Sequence, residues 1–322
     1  MTPSRSAEIS VIVCTHNPRA DYLRRTLDAL RAQSLPHGQW ELLLIDNASE
    51  KPLAEVWDLS WHPRARHVRE LELGLTAARV GGIRESNGGL LVFVDDDNVL
   101  APDYLSAAAG LFARRSDLGV ASGRLLPEYE TAPPEWFRPY ESWIAVRRLE
   151  RSVWSNFFDP RAEPCGAGIC LRRDIALAYA KKASDNAQQR ILGRKGASLL
   201  SGEDVVITKT AIGLGYSMGQ FIELNALHLI PSRRVSEKYL FSLYCHLVAS
   251  GQLIGWLEQP DYKPMPLPSW RVWAKACLRF IKGGNLERRL VLEEFRAFSL
   301  ARKTAREAAL NLAAMRPAAP SK

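Results

Sequence analysis

The chain has few cysteines, and an odd number of them. Its five, Cys14, Cys165, Cys170, Cys245 and Cys277, lie mostly among apolar neighbours. That excludes a disulfide-stapled secreted module and predicts reduced thiols in a cytoplasmic protein. Cys165 and Cys170 form a close pair, but no second cysteine or histidine pair lies nearby, so structural zinc is not expected. No apolar stretch approaches the roughly 18 residues of a spanning helix, which predicts a chain without transmembrane segments. The short polar leader lacks the apolar core of a signal peptide, since Glu8 leads directly into a strand-like run at residues 9–13. Internal repeats are absent, and low complexity is confined to the last few residues, which are expected to be disordered. The first 269 residues carry no net charge. Of 43 Lys/Arg and 35 Asp/Glu, residues 270–322 hold 12 and 4, so long-range attraction to anions is a property of the tail.

What remains is an ordinary folded composition, 47% hydrophobic and 24% charged, over 322 residues. That length suits one large α/β domain with an appendage, or two domains. The most informative stretch is Leu90-Leu91-Val92-Phe93-Val94-Asp95-Asp96-Asp97. Five apolar residues predict a strand buried on both faces. Three adjacent carboxylates at its end repel one another unless a cation sits between them. A hard divalent ion on aspartates, Mg²⁺ or Mn²⁺, commonly serves a phosphate. The plainer alternative is an acidic turn that caps the next helix.

Strand signals recur at residues 9–14, 41–45 and 90–94, separated by helical patterns at 21–33 and 75–85. This alternation predicts a mostly parallel α/β sheet, in which ligands collect at the carboxyl ends of strands. All three strands end in polar residues: Thr15-His16-Asn17, Asp46-Asn47 and Asp95-Asp96-Asp97. Farther on, residues 104–115 read as a helix and 118–122 as a strand. The Pro-, Trp- and Tyr-rich residues 127–164 read as a long irregular segment, either substrate-facing or a packing insertion. Gly166-Ala167-Gly168 precedes a short strand at 169–171 and suggests close backbone approach. Ser201-Gly202-Glu203-Asp204 opens a helix at 205–212. From about residue 237 the pattern is helical, broken by the Pro-rich stretch 260–268.

Several residues admit two readings. Glu203 and Asp204 suit a helix start by charge and capping, or a general base that takes a proton from an attacking hydroxyl. His228 is a core imidazole or a ligand for Mn²⁺. Arg233-Arg234 follows it closely and suits phosphate oxygens. Asp46 is a turn residue or a carboxylate that reads a base or ribose. His16-Asn17-Pro18 is a helix entry or part of the same pocket.

Together these segments resemble a family 2 glycosyltransferase of the GT-A fold. They are Ile9-Ser10-Val11-Ile12-Val13-Cys14-Thr15-His16-Asn17, residues 41–49, 73–88, 91–97 and 166–171, and Ser201-Gly202-Glu203-Asp204. The resemblance spans about residues 8–235. It implies a nucleotide-diphospho-sugar transferase with a Rossmann-like, mostly parallel sheet flanked by helices: a catalytic domain at 1–235 and a helical basic extension at 236–322. The implied reaction is an inverting, metal-dependent single transfer of a sugar from a nucleotide-diphosphate donor, with uracil the family's usual base, to a hydroxyl of a glycan or lipid-linked acceptor. Polysaccharide biosynthesis for the cell envelope is the implied setting.

The resemblance also implies roles. Thr15, Asn17, Asp46, Arg79 and Asp96 line the nucleotide sugar, and Asp95, the first of the Asp-x-Asp pair, faces ribose or metal. Asp97, with Asp95 and His228, binds Mn²⁺ or Mg²⁺. Gly166, Ala167 and Gly168 lie near the sugar and acceptor. Asp204, beside Glu203, is the catalytic base, and Arg233 or Arg234 contacts the diphosphate. The family's Ala-Arg-Asn pattern appears here as Ala78-Arg79-Val80, and the Gln-x-x-Arg-Trp motif of processive synthases is absent. A non-processive enzyme is therefore expected.

In the tail, Trp270, Trp273, Leu278, Phe280, Ile281, Phe295 and Phe298 interleave with Arg271, Lys275, Arg279, Lys282, Arg288 and Arg289. Residues 270–315 thus suit a helix on an anionic membrane surface, or one packed on a domain with a solvated basic face. The first would place a cytoplasmic enzyme on the inner face of the membrane. Rival readings are a nucleic-acid binder, a nucleotidyltransferase and a sugar-binding relative without activity. No nucleic-acid motif is present, no Gly-rich loop follows the first strand, and the acids are intact.

Overall fold

The structure, a computed structural model, describes residues 8–185, 187–259 and 265–315, with backbone alone at 187–189 and 311–315. The polar leader, the first part of the Pro-rich break at 260–264 and the last residues, 316–322, lie outside the described residues. The chain divides into two compact units, residues 1–181 with 203–235, and residues 182–202 with 236–322.

In the first unit, β1 (Ile9–Thr15), α1 (Ala20–Arg31), β2 (Trp40–Asn47), β3 (Ala65–Glu70), α2 (Leu75–Glu85) and β4 (Leu90–Asp95) alternate as expected. The strands lie in the order β3-β2-β1-β4 and all pair in parallel. Every residue of β1 and β2 is buried, as a parallel sheet covered on both faces requires. On one face Val11, Val13, Leu42, Leu44 and Val92 pack with Leu23, Leu27 and Leu30 of α1, which recur at helical spacing. On the other, Ile12, Leu43, Ile45, Leu91 and Phe93 meet Ala78 and Ile83 of α2. Thr15 faces Asp46, and Cys14 faces both Ile45 and Asp95. The register therefore brings the polar ends of three strands level.

The sheet continues through β5 (Asn98–Leu100), β6 (Leu118–Tyr129), β7 (Val153–Ser155), β8 (Cys170–Arg172) and β9 (Ser217–Ile230), with α3 (Tyr104–Arg114), α4 (Arg173–Asp185) and α5 (Glu203–Gly213) among them. Long β6 and β9 pair in parallel, whereas the short β5, β7 and β8 pair antiparallel. Here the structure departs from the sequence reading. The strand at 118–122 runs on to Tyr129, so residues 127–164 begin in β6 and also hold a 3₁₀ stretch, Glu135–Ile144, and β7. β3 was hidden because Ala-Arg-His-Val-Arg-Glu is a polar edge strand with no fully buried residue. β9 was hidden by Gly219, Gln220 and Asn225, and by a register shift between Gly123 and Arg124 on its partner.

The second unit holds α6 (Glu237–Leu257), α7 (Trp270–Lys282) and α8 (Asn285–Met315), with a 3₁₀ turn at Ala187–Leu192. The expectation that no apolar stretch reaches spanning length needs correction. α6, at 21 residues, is long and apolar enough to cross a membrane, and half of its most apolar window is buried inside the protein. Ser242, His246, Ser250 and Gln252 interrupt the apolar residues but add no fixed charge, which disguised the run. All five cysteines are unpaired, and only Cys277 is exposed.

At the amino ends of the parallel strands, Glu41 is buried with a carboxylate shared among several donors. Oε1 accepts from Ser10 Oγ at 2.6 Å and from the Asn87 N–H at 2.5 Å, and Arg66 stands 3.1 Å from Oε2. Burial alone would raise its pKa, but the Ser10 and Asn87 hydrogen bonds and Arg66 hold it below the ordinary value. Glu41→Ala would leave these donors unsatisfied and should cost about 3 kcal/mol in chemical denaturation. A loss under about 0.5 kcal/mol, the level of an unremarkable surface change, would contradict this role.

Candidate active site

The three acids at the end of β4 turn to three different partners. Asp95 Oδ1 lies 3.9 Å from Arg79 Nη2. Asp96 Oδ2 accepts a short hydrogen bond from Thr15 Oγ1. Asp97 Oδ2 lies 3.0 Å from Arg234 Nη1 and 3.5 Å from His228 Nε2. The antiparallel β5–β9 ladder makes the last contact, since it sets Asn98 opposite His228. The Leu229 N–H donates to the Asp97 carbonyl at 2.8 Å and fixes that turn. Arg233 is exposed, whereas Arg234 is half-buried with Nη1 3.0 Å from His228 Nε2. Burial first, then the charge of Asp97, pushes the Asp96 carboxyl up to about 7.

Arg79, on α2, is buried beneath this end of the sheet. Its Nη2 donates to the Gly166 carbonyl at 3.5 Å, and its guanidinium lies over the Phe93 ring at 5.5 Å. Burial disfavours its charge, but Glu203 and Asp95 outweigh that and keep it protonated. Gly166 in turn donates its N–H to Asp204 Oδ2 at 3.2 Å, and Asp204 Oδ1 accepts from the Val205 N–H at 3.0 Å. A Cβ at position 166 would stand 3.1 Å from Arg79 Nη2 and 3.5 Å from Asp204 Oδ2, so glycine permits this approach. Gly168 has φ +69, and its carbonyl accepts from the buried Tyr104 hydroxyl. Ala167, between them, is buried in the core. One connected group thus joins Asp95, Arg79, Gly166, Glu203 and Asp204, from four separate segments.

At the end of β2, Asp46 has both oxygens engaged. Oδ1 accepts from the Ser49 N–H at 2.9 Å, and Oδ2 accepts from the Leu53 N–H at 3.1 Å and Arg69 Nη1 at 2.7 Å. Asn17, at φ 47, ties the end of β1 to the same turn: its N–H donates to Ser49 Oγ, and its Oδ1 accepts from the Glu50 N–H. Arg69 escaped the sequence reading along with β3.

Glu163 escaped it too. Its carboxyl is half-buried three positions before Gly166, and its Oε1 is buried without a hydrogen-bond partner among the described residues. Burial, then the charge of Asp204, pushes it up to about 7, against Arg147 and Lys209. An acid beside a Gly-Ala-Gly loop was the sole signal in the sequence.

The donor set fits a cation in one place. Asp97 Oδ2 and His228 Nε2, a carboxylate and an imidazole, are ligand types that Mn²⁺ accepts. No group of three or more His, Cys, Asp or Glu side chains suited to a metal occurs among the described residues. The remaining ligands of a cation here would have to come from substrate or water.

Comparison with known proteins gives consistent matches. A family model described as Glycosyl transferase family 2 matches residues 10–176. Glycosyltransferase AglE of Haloferax volcanii is 30% identical over 254 residues, 77% of this chain and 74% of that protein. The glucosyl-dolichyl phosphate glucuronosyltransferase of the same organism is 24% identical over 173 residues, 53% of this chain and about half, 54%, of its own length. Among solved structures, the mannosyltransferase PcManGT from Pyrobaculum calidifontis, in complex with GDP-Man and Mn²⁺, is 18% identical with a TM-score of 0.47, over 97% of this chain and 76% of that one.

The raised pKa of Glu163 has a definite sign in stability. Between its ordinary value of 4.5 and about 7 the folded chain holds a proton that the unfolded chain has lost. The group therefore withdraws stability as pH rises through that window. Glu163→Gln should melt like the parent near about pH 4 and at a higher temperature near about pH 8. Asp96 acts with the same sign and keeps part of the slope in the variant. Identical melting of the two proteins at both pH values would show that Glu163 titrates normally.

Proposed function

The chain belongs to glycosyl transferase family 2, and on that premise we propose that it moves one sugar at a time from a nucleotide-diphosphate donor, with inversion, to a hydroxyl of a lipid-linked or glycan acceptor. The observation that carries this reading is the Arg79 bridge, which joins Asp95 at the end of β4 to Asp204 in the first turn of α5 through Gly166. Asp204 is the general base. Hydrogen bonds from the Gly166 and Val205 N–H groups orient its carboxylate, so it can accept the proton of an acceptor hydroxyl as that oxygen attacks. Attack from the side opposite the leaving diphosphate inverts the anomeric centre. Positioning and electrostatics supply most of the acceleration.

Thr15, Asn17, Asp46, Asp95 and Asp96 line the nucleotide side, with uracil the favoured base, and Gly166, Ala167 and Gly168 border the sugar. Asp97 and His228 are the residues suited to Mn²⁺ or Mg²⁺, which when bound would neutralise the diphosphate as it leaves. Arg234 beside them, with Arg233, offers guanidinium donors for phosphate oxygens. A lipid-linked acceptor is favoured because one relative is by name a glucosyl-dolichyl phosphate glucuronosyltransferase. Work on such an acceptor places the enzyme peripherally on the cytoplasmic face of a membrane. Residues 1–235 form the catalytic domain in this reading, and 236–322 the extension.

Thermal melting with UDP, GDP, dTDP and CDP, each with Mn²⁺ and with EDTA, tests the donor side. One nucleotide at 100 times its Kd should stabilise the chain by about 2.7 kcal/mol with Mn²⁺, and much less with EDTA. Asp97→Ala should lose that metal-dependent shift. Asp204→Asn should keep it while transfer falls by about 10²–10⁴-fold. Absence of a shift with every nucleotide, or full transfer by Asp204→Asn, would overturn the assignment.

A further inference from the structure

We propose that α7 is an interfacial helix that lies on a membrane surface carrying anionic lipid headgroups. That purpose rests on the lipid-linked acceptor proposed above, whereas the surface itself is read from the second unit alone.

The helix Trp-Arg-Val-Trp-Ala-Lys-Ala-Cys-Leu-Arg-Phe-Ile-Lys contains four cations and no acid, and Ala276 is its one buried residue. At 100° per residue it carries three stripes. Trp273 and Ala276 turn toward α8, where Trp273 stacks on Phe295 with centroids 4.4 Å apart. Arg279 secures this face with ion pairs of 2.6 Å to both Glu287 and Glu294. The second stripe holds Trp270, Ala274, Cys277, Leu278 and Ile281. It points away, and Trp270, Leu278 and Ile281 are 74%, 51% and 71% exposed. The third stripe, Arg271, Lys275 and Lys282, runs beside the apolar one and is exposed as well.

Docking against α8 therefore fixes α7 without covering its apolar side. An exposed apolar stripe edged by cations and ended by a tryptophan matches the interface between acyl chains and anionic headgroups. A second copy of the chain fits less well, because facing α7 helices would bring Arg271, Lys275 and Lys282 together. Nucleic acid would neutralise the cations but leave Trp270, Leu278 and Ile281 in water.

The test uses the full chain and co-sedimentation with vesicles of phosphatidylcholine alone, or of phosphatidylcholine with phosphatidylglycerol. Binding to the anionic vesicles, weakened by salt and accompanied by a blue shift of tryptophan emission, is expected. Leu278→Ser with Ile281→Ser should lower the partition coefficient at least about tenfold. Arg271→Gln, Lys275→Gln and Lys282→Gln together should lower it about a hundredfold. These positions are exposed, and unchanged melting temperatures would show that both variants fold. No binding to either vesicle, or binding that neither variant weakens, would overturn the proposal. Self-association abolished by the serine variant, without vesicle binding, would overturn it in favour of a dimer interface. The nucleotide-dependent melting shift, measured on the same proteins, separates the two readings: its persistence without vesicle binding would remove the membrane surface and leave the transferase, and the converse would remove the transferase alone.

Discussion

The first unit depends on one buried positive charge. Arg79 carries it into a place where Asp95 approaches from β4 and the field of Glu203 reaches it from the start of α5. An unpaired guanidinium at that depth would cost several kcal/mol, and so would a buried Glu203 without a cation nearby. The opposed charges make each other tolerable. Arginine suits the position because it stays protonated and offers several directed donors, one of which reaches the Gly166 carbonyl. Glycine at 166 eases this approach, since a Cβ there would stand tight against the Arg79 guanidinium at 3.1 Å and in ordinary contact with Asp204.

A second constraint is the repulsion within Asp95-Asp96-Asp97. The fold does not require an ion to relieve it, because each acid is sent to a different neighbour: Arg79, the Thr15 hydroxyl, and the Arg234–His228 pair. The relief is incomplete at the middle acid, where burial and Asp97 leave the carboxyl near neutrality's edge, at about 7. A tight turn between β4 and β5 makes this divergence possible, since it aims consecutive side chains in different directions.

How much of this was legible in the sequence depends on whether a contact is local. β1, β2, β4 and α2 declared themselves through continuous apolar runs and helical spacing, and their polar ends marked the site. Asp204 and the glycines at 166 and 168 were visible as a helix start and a close-approach loop. Contacts set by long-range register were not visible. His228 was grouped with Asp97 through the family resemblance alone; the contact itself comes from the pairing of β5 with β9, a strand the sequence reading did not mark. Arg69 could not be linked to Asp46 while β3 went unread, and β3 is polar because it sits on the sheet edge. Glu163 carries no pattern at all. Its meaning comes from Asp204, brought near by packing.

The geometry around His228 also bears on which cation belongs beside Asp97. Arg234 Nη1 stands 3.0 Å from His228 Nε2, and a guanidinium can only donate. Where Nε2 accepts from it, the ring proton sits on Nδ1, a buried atom without a hydrogen-bond partner among the described residues. In that tautomer the Nε2 lone pair faces Arg234, the orientation that a metal ligand needs. Arg234 fills with a fixed cation the position where these donors converge. A divalent ion would have to displace a guanidinium already satisfied by carboxylate and imidazole, so its binding is opposed until another anion draws Arg234 away. The diphosphate of the proposed donor is such an anion. On the proposed function, the spacing of Asp97, His228 and Arg234 would couple metal and donor affinity through the donor and acceptor character of three side chains.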